Sequence, residues 1–315
     1  MTTLPRCTVI VPTYNRAGLL RHTLDSFVRQ DMPPGDFEVI VADDGSSDGT
    51  DAVVASYTDR LPIRYFYQED EGFRVAKARN MGLREARGPV SVFVDSGVVL
   101  GSHALAAHCA AHESTAGPAA VVGYVWGFAD DVRAAADRID PADPDGTIRR
   151  LAHDHSLPDV REWYYDRYGE ELWKLAAPWL IFWTCNVSVD TAQARAVGMF
   201  DEAYRSWGGE DVDLAYRLHR GGARFLLSRD AAAVHCPHPK EDTRSAKANH
   251  RYFAAKYDTP ITRLRPDHDI FLIEQVIRDR GLPSCAEYLA ARQNGDAPPG
   301  IRPAGGETPA STGTR

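Results

Sequence analysis

Phe37-Glu38-Val39-Ile40-Val41-Ala42, followed at once by Asp43-Asp44-Gly45-Ser46, is the stretch on which the fold turns. A short unbroken apolar run rich in β-branched residues reads as a strand buried on both faces. Acids with glycine directly behind it read as a turn at the strand's carboxyl end. The same grammar repeats on either side. Thr8-Val9-Ile10-Val11 is a strand, and Leu19, Leu20, Thr23, Leu24, Phe27 and Val28 then recur at helical spacing up to Gln30. Thr50 to Tyr57 reads as a helix, Ile63 to Tyr67 as a third strand, Val75 to Ala86 as a helix and Val90 to Val94 as a fourth strand. Alternating β and α of this kind predicts an α/β fold, a mostly parallel, Rossmann-like sheet flanked by helices.

Ligands bind such sheets off the carboxyl ends of the strands. Polar residues stand at three of those ends: Pro12-Thr13-Tyr14-Asn15, Asp43-Asp44-Gly45-Ser46 and Asp95-Ser96-Gly97. One acid after a strand is ordinary turn chemistry, but three such ends converge on one edge.

From about Gly101 the pattern changes. Ala104 to His112 reads as a helix, Ala119 to Trp126 as a strand, and Asp130 to Pro158 as charged surface helices and loops. Arg161 to Trp183 holds Trp163, Trp173, Trp179 and Trp183 with Tyr164, Tyr165, Tyr168 and Phe182 between them. Such rings stack on a sugar, line an apolar acceptor site, form a dimer face or fill a core. A returning strand is expected over Trp183 to Val189, and short strands over Ala223 to Leu227 and Ala231 to Val234, the last running into His235-Cys236-Pro237-His238. Helices follow over Arg244 to Tyr257, Asp269 to Arg280 and Cys285 to Arg292. Asn294 to Arg315, rich in Pro, Gly, Ser and Thr, predicts a disordered tail.

Between these elements lies Trp207-Gly208-Gly209-Glu210-Asp211-Val212-Asp213-Leu214-Ala215-Tyr216-Arg217-Leu218. With a helix starting near Glu210, Asp211, Leu214, Ala215 and Leu218 share one stripe, which would turn Asp211 inward. Helix N-terminal N–H groups favour its ionised form, while Glu210 and Asp213 oppose it. Acids in a first turn also serve as plain caps. Two successive glycines ask for more, a close backbone approach or an unusual φ/ψ.

The 315 residues are 43% hydrophobic and 25% charged, enough to bury a real core. A net charge of −8 and a pI near 5.8 argue against a nucleic-acid surface, leaving room for a local basic pocket for phosphates. The five cysteines are scattered without a CxxC pair and read as reduced thiols. With no apolar run of about eighteen residues and no signal-peptide pattern, a cytoplasmic protein without an integral membrane segment is expected.

Four ordered motifs then carry a resemblance: Val9-Ile10-Val11-Pro12-Thr13-Tyr14-Asn15-Arg16, Val39 to Thr50, Ala78-Arg79-Asn80-Met81-Gly82-Leu83 and the Trp207 to Leu218 block. Together they resemble family 2 inverting glycosyltransferases with the GT-A fold. Gly72-Phe73-Arg74 and the Gly-Gly-Glu-Asp block are similar to the branch of chondroitin polymerase-like and β-1,4-galactosyltransferase-like enzymes. The resemblance spans residues 5 to 240. It implies a donor-binding half over 1–100 and an acceptor-binding and catalytic half over 101–240; beyond it the sequence pattern gives a helical extension over 241–293 and the tail over 294–315.

The implied reaction moves a sugar from a nucleoside diphosphate, with UDP expected, to an acceptor hydroxyl. Asp211 would be the general base and Glu210 would hold acceptor hydroxyls. Pro12, Thr13, Tyr14, Asp44, Arg74, Lys77, Arg79, Asp95 and Ser96 would line the donor, while Trp207, Gly208 and Gly209 would border the acceptor. The family pattern ends the fourth strand in Asp-x-Asp, whose last acid binds Mg²⁺ or Mn²⁺; this chain has Gly97 there, so Asp95 with His235 or His238 would have to hold the cation. Lacking a second catalytic module, the chain is expected to use a small-molecule, glycan or lipid-linked acceptor rather than to act as a processive synthase, and homo-oligomers stay open. Two rivals are a degenerate nucleotide-sugar-binding protein, which an intact Gly-Gly-Glu-Asp block disfavours, and a sugar-phosphate nucleotidyltransferase. The latter resembles a Gly-rich basic loop after the first strand, where this chain has Pro12-Thr13-Tyr14-Asn15.

Overall fold

The computed structural model describes residues 4–128, 132–238 and 246–294, so the tail expected beyond Asn294 lies outside the described residues. The strands are β1 (Cys7–Thr13), β2 (Phe37–Asp43), β3 (Ile63–Tyr67), β4 (Val90–Val94), β5 (Val98–Leu100), β6 (Ala119–Trp126), β7 (Asn186–Asp190) and β8 (Arg224–His235). The helices are α1 (Ala17–Val28), α2 (Thr50–Ala55), α3 (Val75–Glu85), α4 (Ala104–Glu113), α5 (Val132–Ala136), α6 (Pro144–His153), α7 (Glu162–Tyr168), α8 (Thr191–Ala196), α9 (Glu210–Arg220), α10 (Ala246–Tyr257), α11 (Ile273–Arg280) and α12 (Cys285–Asn294).

The strands form one sheet in the order β3-β2-β1-β4-β7-β6-β8-β5. β3, β2, β1 and β4 are parallel, as the β-α alternation requires. β7 runs antiparallel to both β4 and β6, and β8 is parallel to β6. Two reversals therefore restore direction, and β1, β2, β4, β6 and β8 all end on the same edge. The sheet is accordingly more mixed than the sequence pattern implied, because β7 and the short β5 return against it.

Every residue of β1, β2 and β4 is buried, which is why these segments read as unbroken apolar runs. α3 lies on β1 so closely that a Cβ on Gly82 would come within 2.5 Å of Ile10 Cγ2. The aromatic segment is mostly core: Trp179, Tyr164, Tyr165 and Phe182 are fully buried, while Trp163 and Trp173 are exposed. Beneath it Arg161 and Asp159, both fully buried, form an ion pair at 2.6 Å, and Arg161 also donates to the carbonyls of Gly123 and Ile181. Breaking such a pair by removing one partner costs about 3–5 kcal/mol.

A first compact unit ends at His250 and a second begins at Arg251. The second has its own small core of Phe253, Ile261, Ile273, Ile277 and Cys285.

Candidate active site

The shared strand edge is built by hydrogen bonds between consecutive strand ends. Asp44 N–H donates to the Thr13 carbonyl at 2.9 Å, and Gln68 N–H donates to the Asp43 carbonyl at 3.0 Å. Thr13, Asp44 and Gln68 thus stand side by side past β1, β2 and β3. Asp43 is wholly structural: it is fully buried and accepts from Gly45 N–H, Ser46 N–H and the Tyr65 hydroxyl. Asp44 accepts from Gln68 Nε2 at 2.5 Å and from Arg74 N–H at 2.7 Å. Burial pushes its carboxyl up, against the pull of the Gln68 amide, the Arg74 N–H and the Arg74 charge. Gln68, which sequence reasoning passed over, is legible only once β3 is seen to end beside Asp44.

Pro12 and Ser96 join the ends of β1 and β4, since the Ser96 hydroxyl donates to the Pro12 carbonyl. Tyr14 is nearly half exposed and donates its hydroxyl to Asp70. Arg74 is buried, with Nη1 on Glu71. Lys77 on α3 is half-buried, and its positive charge helps hold the Glu202 carboxyl low.

Arg79 ties this edge to the catalytic-looking helix. Its buried guanidinium donates to Asp95 Oδ1 at 3.0 Å and to Glu210 Oε1 at 2.8 Å. Burial opposes its charge, but the two carboxylates more than offset this and hold it protonated. The neighbouring Asn80 clamps the segment before the Trp-Gly-Gly turn, its Nδ2 donating to Phe200 O and Glu202 Oε1 and its Oδ1 accepting from Phe200 N–H. Arg79, Asn80 and Gly82 therefore do three jobs: charge, loop anchor and close packing on β1.

α9 starts at Glu210, where it was expected. Gly208 and Gly209 have φ of +89° and +107°, the left-handed backbone that their pairing suggested. The inward-facing acids, however, are Glu210 and Asp213. Asp211 is only half-buried, which corrects the stripe argument: from Leu214 on the stripe is buried, but in the first turn Arg79 draws Glu210 inward instead. Asp213 pairs with Arg217 at 2.8 Å and with the Tyr204 hydroxyl, so it braces the helix. Asp211 accepts the N–H of Val212 and is pushed up to about 7, first by desolvation and next by Glu210, against Arg79 and that N–H. A partly buried carboxylate poised near neutrality suits a general base.

Trp207, 42% exposed, projects from the turn. Beyond β8, Cys236 N–H donates to the Gly97 carbonyl, placing His235 and His238 close to the Asp95-Ser96-Gly97 turn. His235 stacks on Phe128, lies 5.0 Å from the His238 ring and is pushed down to about 4, mostly by burial. It is thus neutral at pH 7. Arg16 Nη1 approaches His238 Nε2 at 3.5 Å. Gly97 has φ of +99°, so an acid side chain would be strained at that position by its backbone, although a Cβ there would meet Leu19 only at an ordinary 3.4 Å. Among the described residues no three His, Cys, Asp or Glu side chains gather as a ready-made metal cage.

Residues 8–154 match the family model "Glycosyl transferase family 2", and residues 168–238 match "N-terminal domain of galactosyltransferase". The chain is 41% identical over 241 residues to validoxylamine A glucosyltransferase of Streptomyces hygroscopicus subsp. limoneus, covering 75% of this chain and 53% of that protein. It therefore spans about half the length of that relative. It is 31% identical over 280 residues to the uncharacterized glycosyltransferase YfnE of Bacillus subtilis, covering 80% of this chain and 71% of that one. Among solved structures, Staphylococcus aureus TarS 1-349 in complex with UDP-GlcNAc aligns with a TM-score of 0.58 at 21% identity over 87% of this chain and 71% of that one. The Pyrobaculum calidifontis mannosyltransferase PcManGT in complex with GDP-Man and Mn²⁺ aligns with a TM-score of 0.57 at 24% identity over 94% and 78%. The fold is that of the GT-A glycosyltransferases.

Proposed function

The chain belongs to glycosyl transferase family 2, and we propose that it transfers a sugar from a nucleoside diphosphate to an acceptor hydroxyl with inversion. The observation that carries this reading is the Arg79 bridge, which binds the strand edge at Asp95 to the helix start at Glu210 and leaves Asp211 half-buried beside both.

In this reading Thr13, Asp44, Gln68 and Arg74 receive the nucleoside, with Pro12 and Tyr14 bordering it. Lys77, Arg79, Asp95 and Ser96 serve the diphosphate side. Arg79 does so indirectly: both of its terminal nitrogens already meet carboxylates, so it balances the charge of Asp95 and Glu210. Trp207, Gly208 and Gly209 border the acceptor. Asp211 takes the acceptor proton as the hydroxyl oxygen attacks the anomeric carbon and the bond to the diphosphate oxygen breaks on the opposite face. Desolvation and, next, the charge of Glu210, which Arg79 holds in place, keep Asp211 basic.

A divalent cation fits these residues as a partial set only. Asp95 keeps one oxygen clear of Arg79, and His235 is a neutral imidazole; the diphosphate would supply the remaining donors, with His238 adjacent. The cation's contribution would be to neutralise charge on the leaving diphosphate. The Mn²⁺ in the mannosyltransferase neighbour supports a cation in this fold.

UDP is the expected nucleotide, which the UDP-GlcNAc complex of TarS supports. Glucose as the sugar and validoxylamine A as the first acceptor to try are suggested by the relative that is 41% identical over 241 residues. The test is calorimetric titration with UDP, GDP and dTDP, each with Mn²⁺ and again with EDTA, followed by UDP release from UDP-glucose and UDP-N-acetylglucosamine. Tight binding of UDP that weakens in EDTA is expected. Binding indifferent to EDTA overturns the cation, and no binding of any nucleotide overturns the transferase reading.

A further inference from the structure

Beyond the family matches, which end at residue 238, the first turn of α10 lies on the Trp207-Gly208-Gly209 turn. Asn249 Nδ2 faces three backbone carbonyls there, those of Ser206 at 3.0 Å, Trp207 at 3.2 Å and Gly208 at 2.7 Å. Its Oδ1 accepts from the Ser206 hydroxyl at 3.3 Å. These contacts fix which way the amide points: the nitrogen toward oxygens that can only accept, the oxygen toward a hydroxyl that can donate. Packing adds to the clamp. A Cβ on Gly208 would meet Ala246 Cβ at 3.6 Å, and one on Gly209 would meet Asn249 Cβ at 3.5 Å.

Three consecutive carbonyls turned to one side make a concave, electronegative surface. Two left-handed glycines allow the backbone to take that shape, and they leave it without regular hydrogen bonds of its own. One side-chain amide fills the hollow. We propose that Asn249 is a positioning residue for the transfer reaction: by gathering these carbonyls it fixes Trp207 and the start of α9, and with them the placement of Asp211 against the acceptor. The inference rests on the transferase reading for its catalytic consequence, but its structural part stands apart from it.

The charge pattern separates this role from simple packing. Asn249→Asp keeps the shape and turns a carboxylate toward three carbonyl oxygens, whereas Asn249→Ala only empties the hollow. Positioning by the amide therefore predicts Asp to be worse than Ala; a shape-filling role predicts the reverse.

Wild type and both variants are compared by UDP calorimetry, by amide hydrogen exchange and by UDP release from UDP-glucose with validoxylamine A or water as acceptor. Exchange over residues 208–212 is expected to quicken at least ~10-fold in Asn249→Ala and more in Asn249→Asp, with residues 13–16 and 44–46 unchanged. UDP affinity should stay within about twofold, while turnover falls roughly 10–100-fold, as a displacement near 1 Å would produce. Unchanged exchange over 208–212, exchange that quickens throughout the sheet, or UDP affinity falling in step with turnover overturns the proposal. Were the wild-type protein to release no UDP from any donor, the transferase reading would fail, and the exchange data would still decide the role of Asn249.

Discussion

Two pairs of adjacent acids flank the site, Asp43-Asp44 after β2 and Glu210-Asp211 at the start of α9, and they are built in opposite ways. In each pair the fold itself uses one member: Asp43 accepts from two backbone N–H groups and Tyr65, and Glu210 pairs with Arg79. The other members differ. Asp44 is buried and held by a donor on each oxygen, one side-chain amide and one backbone N–H. Asp211 is partly buried and desolvated, has a backbone N–H on one oxygen and stands next to a negative charge. Hydrogen bonds fix a carboxylate as a rigid recognition element, whereas desolvation and a neighbouring like charge, met by few donors, make it basic. The first arrangement suits binding and the second proton transfer.

The sharpest way to break this contrast is to neutralise the free member of each pair. Asp211→Asn is expected to lower turnover by about 10²–10⁴-fold, the usual worth of a general base, while UDP binding by calorimetry stays near wild type. It should also raise the melting temperature at pH 8. Asp211 has a folded-state value above its unfolded one, so the folded protein holds its proton more tightly, and stability declines as pH rises from about 4 to about 7. An equal or lower melting temperature at pH 8 would contradict the raised value. Asp44→Asn should do the converse. UDP affinity falls about tenfold, near 1.4 kcal/mol, because Arg74 N–H then faces an amide, whereas turnover at saturating donor changes little. Asp43→Asn should leave both nearly unchanged and lower stability instead, by about 1–3 kcal/mol for the disturbed buried donors, read from urea melts.

The parallel half of the sheet was legible in the sequence because its strands are buried on both faces and read as unbroken apolar runs: β4 begins and ends at Val90 and Val94, as expected. α9 was equally plain, since two glycines and three acids mark its start. The antiparallel half was harder. β8 is one strand from Arg224 to His235, where two short ones were expected, because Ser228, Arg229 and Asp230 look like a turn until they are seen passing the irregularity near Tyr124 in β6. β5, three residues long, carries too little pattern to see. Within the site, residue types at strand ends pointed to the right edge, but the Arg79 bridge joins positions 131 apart in the chain and no local period records it. The misplacement of Asp211 has the same origin: helical spacing gives the buried face of a helix, yet in the first turn a distant arginine decides which acid goes inside.

Burial and the Glu210 charge together keep Asp211 basic enough to take the acceptor proton, and the Glu210 share is read from the pH dependence of kcat/KM for UDP release in wild type and Glu210→Gln. A wild-type rate that rises through a midpoint near pH 7, set by the value of about 7 for Asp211, is expected. In Glu210→Gln the like charge is gone, so the midpoint should move to lower pH even as the rate drops from the loss of the Arg79 pair. A midpoint that stays in place, or moves upward, would show that Glu210 does not raise the Asp211 value.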